Sequence, residues 1–283
     1  MKLATLRLPA PAGRPHPTAA VRIDAEHAIE IGDHVDLGSL LAEDDWREQA
    51  EGASGAQHDL ATIEPGRWAP VVPAPTKVIC VGMNYRDHIA EMGRDAPEHP
   101  TLFAKYADSL IGAYDPIDLP RVSSHIDWEA ELAVIIGATT RRASEQEAEA
   151  AIAGYTVFND VSARDYQYRT PQWLQGKTFD NTTPLGPYLV TTDEWQPGAG
   201  IRSEVDGEVM QDGSTGDLVF SPAALISYIS EITTLRPGDV IATGTPAGVG
   251  HAQTPPRYLV DGSTLVTEID GLGRQENRAQ LAP

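Results

Sequence analysis

Short apolar runs, each broken by glycine or proline, are the feature that most constrains the fold of this chain. There are 25 glycines and 22 prolines among 283 residues. The apolar runs between them are typified by 132–136, and runs of this length suit strands better than helices of about ten or more residues. Many short strands with few helices predict a mixed α+β, β-rich fold rather than a doubly wound sheet.

The predicted elements follow from these runs and from the residues that begin helices. Strands are predicted over 2–8, 20–31, 77–82, 127–137, 154–161, 185–191, 201–205 and 240–243. Helices are predicted over 40–50, 87–92, 144–151 and 223–231. Ser39 is the expected N-cap of the first helix, and Ser144 with Glu147 is expected to form a capping box at the third.

Four prolines between residues 65 and 75 divide the chain. Proline fixes its own φ angle and lacks an N–H donor, so regular structure is not expected in this segment. We therefore predict a small N-terminal domain over 1–70 and a larger domain over 71–283.

The charge balance narrows the classes of partner. The chain has 41 acidic and 21 basic residues, which gives a formal net charge of −20. A field of this sign repels nucleic acid and anionic membrane surfaces, so neither is an expected partner. It also repels acidic substrates, so a site for one needs a metal ion or a local cluster of lysine and arginine.

The sequence predicts a cytoplasmic location. Cys80 is the only cysteine, so no internal disulfide can form and a reducing compartment fits. Residues 1–9 lack the apolar core of a secretory signal peptide. No apolar run approaches the ~20 residues that a membrane-spanning helix needs.

Acidic side chains alternate at the start of the predicted strand 127–137. Alternate residues of a strand share a face, so Glu129 and Glu131 should project together, about 6.6 Å apart along the strand. Asp160, near the end of another predicted strand, offers a third carboxylate. Mg²⁺ and Mn²⁺ prefer hard oxygen ligands of this kind, although a solvated strand edge would give the same spacing.

Two further groups of polar residues could carry chemistry. His88 and Glu91 lie three residues apart on a predicted helix and therefore share a face. A carboxylate that orients a histidine lets it act as a general base, although an ordinary exposed helix pair has the same spacing. Lys177, Lys105 and Arg164 could supply local positive charge, although most lysines only face solvent.

The glycine-rich segment 243–250 lacks the glycine spacing of a dinucleotide loop and the Lys-Ser/Thr pair of a P-loop. Gly244 and Thr245 could still offer an N–H group and a hydroxyl to a substrate carboxylate or carbonyl. No Gly-x-Ser-x-Gly elbow is present and Cys80 lies in an apolar run, so water is the expected nucleophile.

Taken together, the motifs resemble those of the fumarylacetoacetate hydrolase family, particularly its acylpyruvase and oxaloacetate decarboxylase branch. In chain order they are Gly82-Met83-Asn84-Tyr85 leading to His88 and Glu91, Asp127 to Glu131, Asn159 to Asp165, Gly176-Lys177, and Gly244-Thr245-Pro246. The resemblance covers roughly residues 75–275. It implies a mixed β-sheet roll preceded by a small N-terminal domain, a catalytic role for the larger domain, and usually a homodimer.

The resemblance also implies which residues act. The implied metal ligands, for Mg²⁺ or Mn²⁺, are Glu129, Glu131 and Asp160. The implied catalytic residues are His88 and Glu91 on a lid helix, and Lys177. The implied substrate contacts are Arg164, Gln167 and Thr245, beside the candidates Gly244 and Lys105. Because Gly82 and Gly93 flank the lid helix, residues 83–95 are expected to be mobile without ligand and ordered with it.

The expected function is metal-dependent hydrolysis of a C–C bond in a 2,4-diketo acid, such as an acylpyruvate or fumarylpyruvate from aromatic catabolism, through a metal-stabilised enolate. The expected partner is therefore a small 2-oxo acid. The same site could instead decarboxylate oxaloacetate or interconvert an enol and a keto acid. A metal-binding protein without turnover is a third alternative, but a structural site has no need of a base such as His88.

Overall fold

The computed structural model describes residues 1–11, 16–93 and 95–282. The strands are β1 (Lys2–Arg7), β2 (Thr18–Ile23), β3 (His27–Glu30), β4 (Gln57–Asp59), β5 (Val78–Gly82), β6 (Thr101–Lys105), β7 (Leu110–Ile111), β8 (Ile117–Leu119), β9 (Ile126–Asp127), β10 (Ala130–Ile136), β11 (Ile152–Asn159), β12 (Ser162–Ala163), β13 (Thr183–Pro184), β14 (Leu189–Thr191), β15 (Gly200–Val205), β16 (Glu208–Ser214), β17 (Val240–Ala242), β18 (Thr264–Ile269) and β19 (Gly273–Leu281). The helices are α1 (Leu37–Leu41), α2 (Trp46–Glu51), α3 (Arg86–Glu91), α4 (Glu145–Ala150), α5 (Arg164–Gln167), α6 (Leu174–Lys177) and α7 (Pro222–Ile232). No helix within the described ranges is long and apolar enough to cross a membrane.

Ten strands form one sheet in the order β4-β3-β2-β1-β14-β11-β10-β17-β5-β6. Within it, β10 is antiparallel to both β11 and β17, and every residue of β10 is buried. Ala133 and Ile135 pack with α1 and α2 in one core cluster, whereas Leu132 and Val134 pack with α7 in another. Both faces of β10 are therefore covered, which explains why its sequence from Leu132 to Ile136 is an unbroken apolar run.

A second sheet of five strands, in the order β16-β15-β18-β19-β8, packs against β10 and β11. Ile201 of β15 and Ile269 of β18 join the core cluster that contains Val134. At the end of β11, the Asn159 amide donates to the Thr267 hydroxyl of β18 at 2.9 Å. The predicted mixed, β-rich fold is confirmed, and the second sheet covers the end of β11.

The N-terminal segment adds to the same large sheet, because β1 pairs with β14. Its helices α1 and α2 pack in the core cluster that covers one face of β10. Between 65 and 75 the only regular structure is a 3₁₀ turn, Pro65–Arg67, as the prolines predict. The segment 1–70 therefore shares both a sheet and a core cluster with the rest of the chain. Its assignment as a separate domain stays a prediction.

The prediction of one helix over 40–50 is wrong. Asp36, rather than Ser39, is the N-cap, and the two residues form a capping box in which the Asp36 carboxylate accepts from the Ser39 N–H at 2.7 Å. The first helix therefore begins early and ends at Leu41, and α2 begins at Trp46. The acidic residues between them favour helix starts over helix interiors, which accounts for the break.

Three predicted strands are shorter or divided. The segment 20–31 forms two strands because the Asp24 carboxylate accepts from the N–H groups of Glu26 and His27 and closes a turn. The segment 127–137 is interrupted at 128–129, and 185–191 is a strand only from Leu189. By contrast, the capping box at Ser144 is confirmed.

Candidate active site

Three buried carboxylates meet where β10 begins and β11 ends. Glu131 lies in β10, Glu129 directly precedes this strand, and Asp160 directly follows β11. The pairing of Ala130 with Asn159 sets Asp160 beside Glu129, and the Asp160 N–H donates to the Glu129 carbonyl at 2.9 Å. One side-chain oxygen from each of the three residues lies within 4.8 Å of the other two. The structure thus brings the predicted metal ligands together.

Two lysines and an arginine offset this negative charge. Lys177 donates to Glu129 Oε2 at 2.7 Å and to Asp160 Oδ2 at 2.9 Å. Lys105 donates to Asp160 Oδ1 at 2.7 Å, and Arg164 Nη1 lies 2.6 Å from Glu129 Oε1. All three cations are buried. Three cations beside three carboxylates cancel the charge of the cluster, so a bound metal ion would supply the net positive charge that an acidic chain needs to bind an acidic ligand.

The carboxylates are not equivalent electrostatically. Burial opposes the ionisation of Glu129, but the charges of Lys177 and Arg164 outweigh it and lower the pKa of Glu129 to about 2. Glu131 forms no ion pair with any lysine or arginine of the described residues. Burial and the charges of Asp160 and Glu129 raise the pKa of Glu131 well above its ordinary value.

The chemistry of the donor set fits a divalent cation with oxygen ligands. A carboxylate oxygen that accepts one N–H bond still has a lone pair for an ion. Glu131, buried beside two other carboxylates and without a cationic partner, is the side chain that a bound ion would stabilise most. The triad could therefore hold a divalent metal ion, and hard cations such as Mg²⁺ or Mn²⁺ suit it best.

A close helix contact positions Lys177. The preceding residue, Gly176, packs against α5, and a Cβ atom there would lie 2.5 Å from Gln167 N and 2.6 Å from Ala163 O. Only glycine permits this approach, because real Cβ atoms do not come so near to backbone atoms. The Gly-Lys motif therefore has a structural reason: the glycine lets α6 come close enough for its last residue to reach the carboxylates.

The short helix α3 carries the predicted base. His88 Nδ1 lies 2.9 Å from Glu91 Oε2, and Glu91 Oε1 accepts from the Gly248 N–H at 3.1 Å. Gly248 has φ +101°, and a Cβ atom there would lie 2.1 Å from Met210 O. Glycine is therefore required at the point where the loop after β17 reaches the helix. Glu91 both orients His88 and fastens the helix to this loop.

The start of the lid segment is anchored in the core. The Asn84 amide donates to the Thr243 carbonyl at 2.8 Å, and the side chain of Tyr85 is fully buried. The predicted lid, 83–95, includes Arg94, which lies outside the described residues. The contacts of Asn84 and Tyr85 attach the N-terminal end of helix α3 to the core.

Glu129, Glu131, Lys177 and His88 line one cavity of about 80 Å³, whereas Asp160 lies behind its lining. Its polar wall consists of His88, Glu129, Glu131, Arg164, Gln167, Tyr168, Lys177 and Thr245. Its other wall consists of Val81, Gly82, Met83, Met92, Phe103 and Trp173. A small cavity lined by both charged and apolar groups suits a small organic acid.

Two predicted substrate contacts lie behind this wall rather than on it. The Gly244 N–H donates to Glu131 Oε2 at 2.9 Å. Lys105 donates to Asp160 Oδ1 and, at 3.1 Å, to the Val161 carbonyl. Their hydrogen bonds hold the candidate metal-ligand carboxylates in place, and direct contact of Gly244 or Lys105 with a substrate stays a prediction.

The sequence alone did not single out Gln211 of β16. Its Oε1 accepts from the Ala130 N–H at 2.9 Å, and its amide donates to Thr245 Oγ1 at 2.8 Å. It thereby fixes the residue between Glu129 and Glu131. No local motif signals this role, because the contact joins residues that lie 81 positions apart.

The family model described as "Fumarylacetoacetate (FAA) hydrolase C-terminal" matches residues 77–280. The chain belongs to the fumarylacetoacetate hydrolase family. The matched region contains the three carboxylates, Lys177 and α3, so the site described above lies wholly within it. The resemblance drawn from the sequence motifs is thus confirmed, and the chain is an enzyme of this superfamily.

Named relatives include isomerases. An oxaloacetate tautomerase of Xenopus laevis, named as mitochondrial, is 45% identical over 225 residues, which cover 78% of this chain and 70% of that protein. A putative HpcE protein from Mycobacterium smegmatis has a TM-score of 0.88 at 33% identity over 100% of both chains. A 2-hydroxyhepta-2,4-diene-1,7-dioate isomerase from Mycobacterium marinum has a TM-score of 0.78 at 32% identity, covering 99% of this chain and 98% of that one. A cytoplasmic location stays a prediction.

Proposed function

We propose that this protein is a divalent-metal-dependent tautomerase that interconverts the enol and keto forms of a small 2-oxo dicarboxylic acid of the oxaloacetate type. The observation that carries the proposal is that His88 and two carboxylates of the acidic triad, Glu129 and Glu131, line the same small cavity. The name of the Xenopus laevis relative supports this choice over the hydrolase that the motifs first suggest.

Tautomerisation moves one proton between C3 and the 2-oxo oxygen and consumes no water. A Mg²⁺ or Mn²⁺ ion held by Glu129, Glu131 and Asp160 would supply the positive charge that stabilises negative charge on the 2-oxo oxygen. The remaining work falls to the protein. It must bind the carboxylates of the acid and exchange a proton with its carbon.

His88 is placed for the proton exchange. Its Nδ1 is engaged with Glu91, which leaves Nε2 as the ring nitrogen that can exchange a proton with a ligand in the cavity. In ketonisation the enol loses its O–H proton and C3 gains one. A histidine held by a carboxylate can transfer such protons near neutral pH.

Lys177 and Gln167 are placed to hold the acid. Burial lowers the pKa of Lys177, but the charges of Asp160 and Glu129 outweigh it and raise the pKa above its usual value. Lys177 therefore stays an ammonium group rather than acting as the base, and its third N–H is left for a ligand after two bonds to carboxylates. Gln167 Oε1 accepts from Arg164, which leaves the Gln167 amide N–H groups to donate.

The size of the cavity favours a short acid. Its volume of about 80 Å³ is well below the roughly 300–1,000 Å³ of typical ligand pockets. Trp173 and Phe103, in edge-to-face contact with ring centroids 5.4 Å apart, form part of its apolar wall. A four-carbon acid needs less room here than a fumarylpyruvate.

The test follows the ultraviolet absorbance of enol-oxaloacetate as it ketonises. The protein, stripped with a chelator and then given Mg²⁺ or Mn²⁺, should accelerate the decay above the rate with the metal alone. Addition of excess chelator should remove the acceleration. A rate equal to that of the metal alone would refute the proposed activity.

A hydrolase acting on an acylpyruvate is the second candidate. The His88–Glu91 pair favours it, because the same base could take a proton from water that attacks the C4 carbonyl. Decarboxylation of oxaloacetate needs no such water. Assays of acetylpyruvate cleavage and of CO₂ release from oxaloacetate, run beside the ketonisation assay, separate the three reactions.

A further inference from the structure

Asp127 is a fully buried carboxylate that the scheme above does not use. Its Oδ1 accepts from the N–H groups of Trp128 at 2.8 Å and Gly250 at 2.7 Å. Its Oδ2 accepts from the His251 N–H at 3.0 Å and from Arg164 Nε at 2.7 Å. Four donors, one of them cationic, thus converge on a carboxylate that does not itself line the cavity.

The local fold explains the pairing with Arg164. Strand β12 pairs with β9 so that Ser162 lies opposite Asp127, and α5 begins directly after β12. Arg164 therefore leaves the strand beside Asp127. The Arg164 N–H donates to the His125 carbonyl at 2.9 Å, which fixes its backbone as well.

Arg164 connects Asp127 to the residues that line the cavity. Arg164 Nη1 lies 2.6 Å from Glu129 Oε1 and donates to Gln167 Oε1 at 2.9 Å. The Arg164 guanidinium thus connects the buried Asp127 to Glu129, a candidate metal ligand, and to the Gln167 amide on the cavity wall. A guanidinium is planar, so fixing its Nε also fixes the plane in which Nη1 can donate.

We propose that Asp127 is a positioning residue, which holds Arg164 in the plane that aims the Gln167 amide at the bound 2-oxo acid and keeps Glu129 directed at the metal site. The inference rests on the proposed function, because it assigns Asp127 to the binding of that acid. Asp127 also accepts from the N–H groups of Gly250 and His251, and these two hydrogen bonds hold the loop after β17 against Asp127.

Asp127→Asn is a sharp test because an amide cannot satisfy this environment. Each Asp127 oxygen faces two donors, so whichever way the asparagine is turned, its NH₂ group meets N–H groups. The variant also removes one of the two carboxylates that pair with Arg164 and leaves only Glu129. Arg164 should then shift, and the Gln167 amide with it.

Asp239 offers a matched control for the loss of a buried carboxylate. It is fully buried and also accepts two donors on each oxygen: Oδ1 from the Thr76 hydroxyl and the Lys77 N–H, and Oδ2 from the Lys77 ammonium and the Arg236 N–H. It lies just before β17, whereas the cavity lies beyond the end of that strand. Asp239→Asn should therefore cost stability without changing the site.

The experiment measures calorimetric binding of Mg²⁺, and then of oxalate to the Mg²⁺-loaded protein, with thermal unfolding of each variant. In Asp127→Asn the Kd for oxalate should rise by about 10- to 100-fold, the usual range for residues that orient ligands at a metal site. In Asp239→Asn the Kd for oxalate should equal that of the wild type. Equal oxalate affinity in Asp127→Asn and the wild type would overturn the proposal.

A double-mutant cycle separates positioning from a general structural effect. If Asp127 acts through Arg164 on Gln167, adding Gln167→Ala to Asp127→Asn should weaken oxalate binding little further. Fully additive losses would overturn the proposal. Failure of the wild type to bind oxalate with Mg²⁺ would instead reject the proposed function, so the two failures are distinguishable.

Discussion

Glu131 differs from its two partner carboxylates because it forms no ion pair with a lysine or arginine in the described part of the chain. Lys177 contacts both Glu129 and Asp160, whereas the hydrogen bond to Glu131 comes from the backbone of Gly244. A buried carboxylate in this setting is costly unless it is protonated or bound to a cation. This contrast between neighbouring residues is the strongest single indication of where an ion would bind.

Glu131→Gln should separate stability from metal binding. The amide keeps the shape of the side chain and can still accept from Gly244, but it removes a charge whose burial is unfavourable. We expect the metal-free variant to unfold at the same temperature as the wild type or higher. Its Mg²⁺ affinity should fall by at least about tenfold, since even outer residues of metal sites have effects of that size.

Calorimetry with Mg²⁺ and thermal unfolding in chelator check both expectations. Glu149→Gln, on the exposed face of α4, provides the control for a lost surface charge. Mg²⁺ affinity in Glu131→Gln equal to that of the control would contradict the assignment.

At the scale of elements, α3 is joined to the loop after β17 by the bond between Glu91 and Gly248. With only six residues, α3 is too short to be stable without such contacts. We expect amide hydrogen exchange over 85–93 to slow when Mg²⁺ and oxalate are added to the wild type. The closed helix would then exclude water from the cavity.

In Glu91→Ala we expect ligand to slow the hydrogen exchange of 85–93 much less. His88 loses its contact with Glu91, and the Gly248 N–H loses its acceptor. Hydrogen exchange followed by mass spectrometry measures the slowing, and Glu149→Ala should behave as the wild type. Equal protection of 85–93 in Glu91→Ala and the wild type would show that the bond does not fasten the helix.

Local patterns predicted some elements well, since their causes lie within a few residues. The capping box of Ser144 and Glu147 is one. The proximity of Glu129 and Glu131 was also predicted, although the strand that was expected to hold both begins only at Ala130. The helix start at Asp36 was missed because Ser39, three residues later, is also a residue type favoured at N-caps.

Contacts between distant strands could not be predicted from spacing. Gln211 reaches the site from 81 residues away, and Lys105 contacts Asp160 from 55 residues away. The sequence identified Lys105 as a source of charge but could not place it behind the carboxylate. Gln211 carried no signal, because a polar residue in a hairpin strand usually faces solvent.

At the scale of the whole molecule, we expect a homodimer, as the family resemblance implies. Light scattering after size exclusion should give about twice the chain mass of 30.4 kDa. The value should not change between low and moderate salt if apolar contacts hold the interface. A mass equal to one chain at micromolar concentration would contradict this expectation.

The central claim is that His88 moves a proton of a metal-held 2-oxo acid without adding water. The most direct measurement compares kcat/KM for ketonisation of enol-oxaloacetate and for cleavage of acetylpyruvate, with Mg²⁺, in the wild type and in His88→Ala. The wild type should favour ketonisation, and His88→Ala should lose about 10²- to 10⁴-fold of it while its Mg²⁺ affinity is kept. A wild type that cleaves acetylpyruvate more efficiently than it ketonises oxaloacetate, or a His88→Ala variant with full ketonisation, would contradict the account.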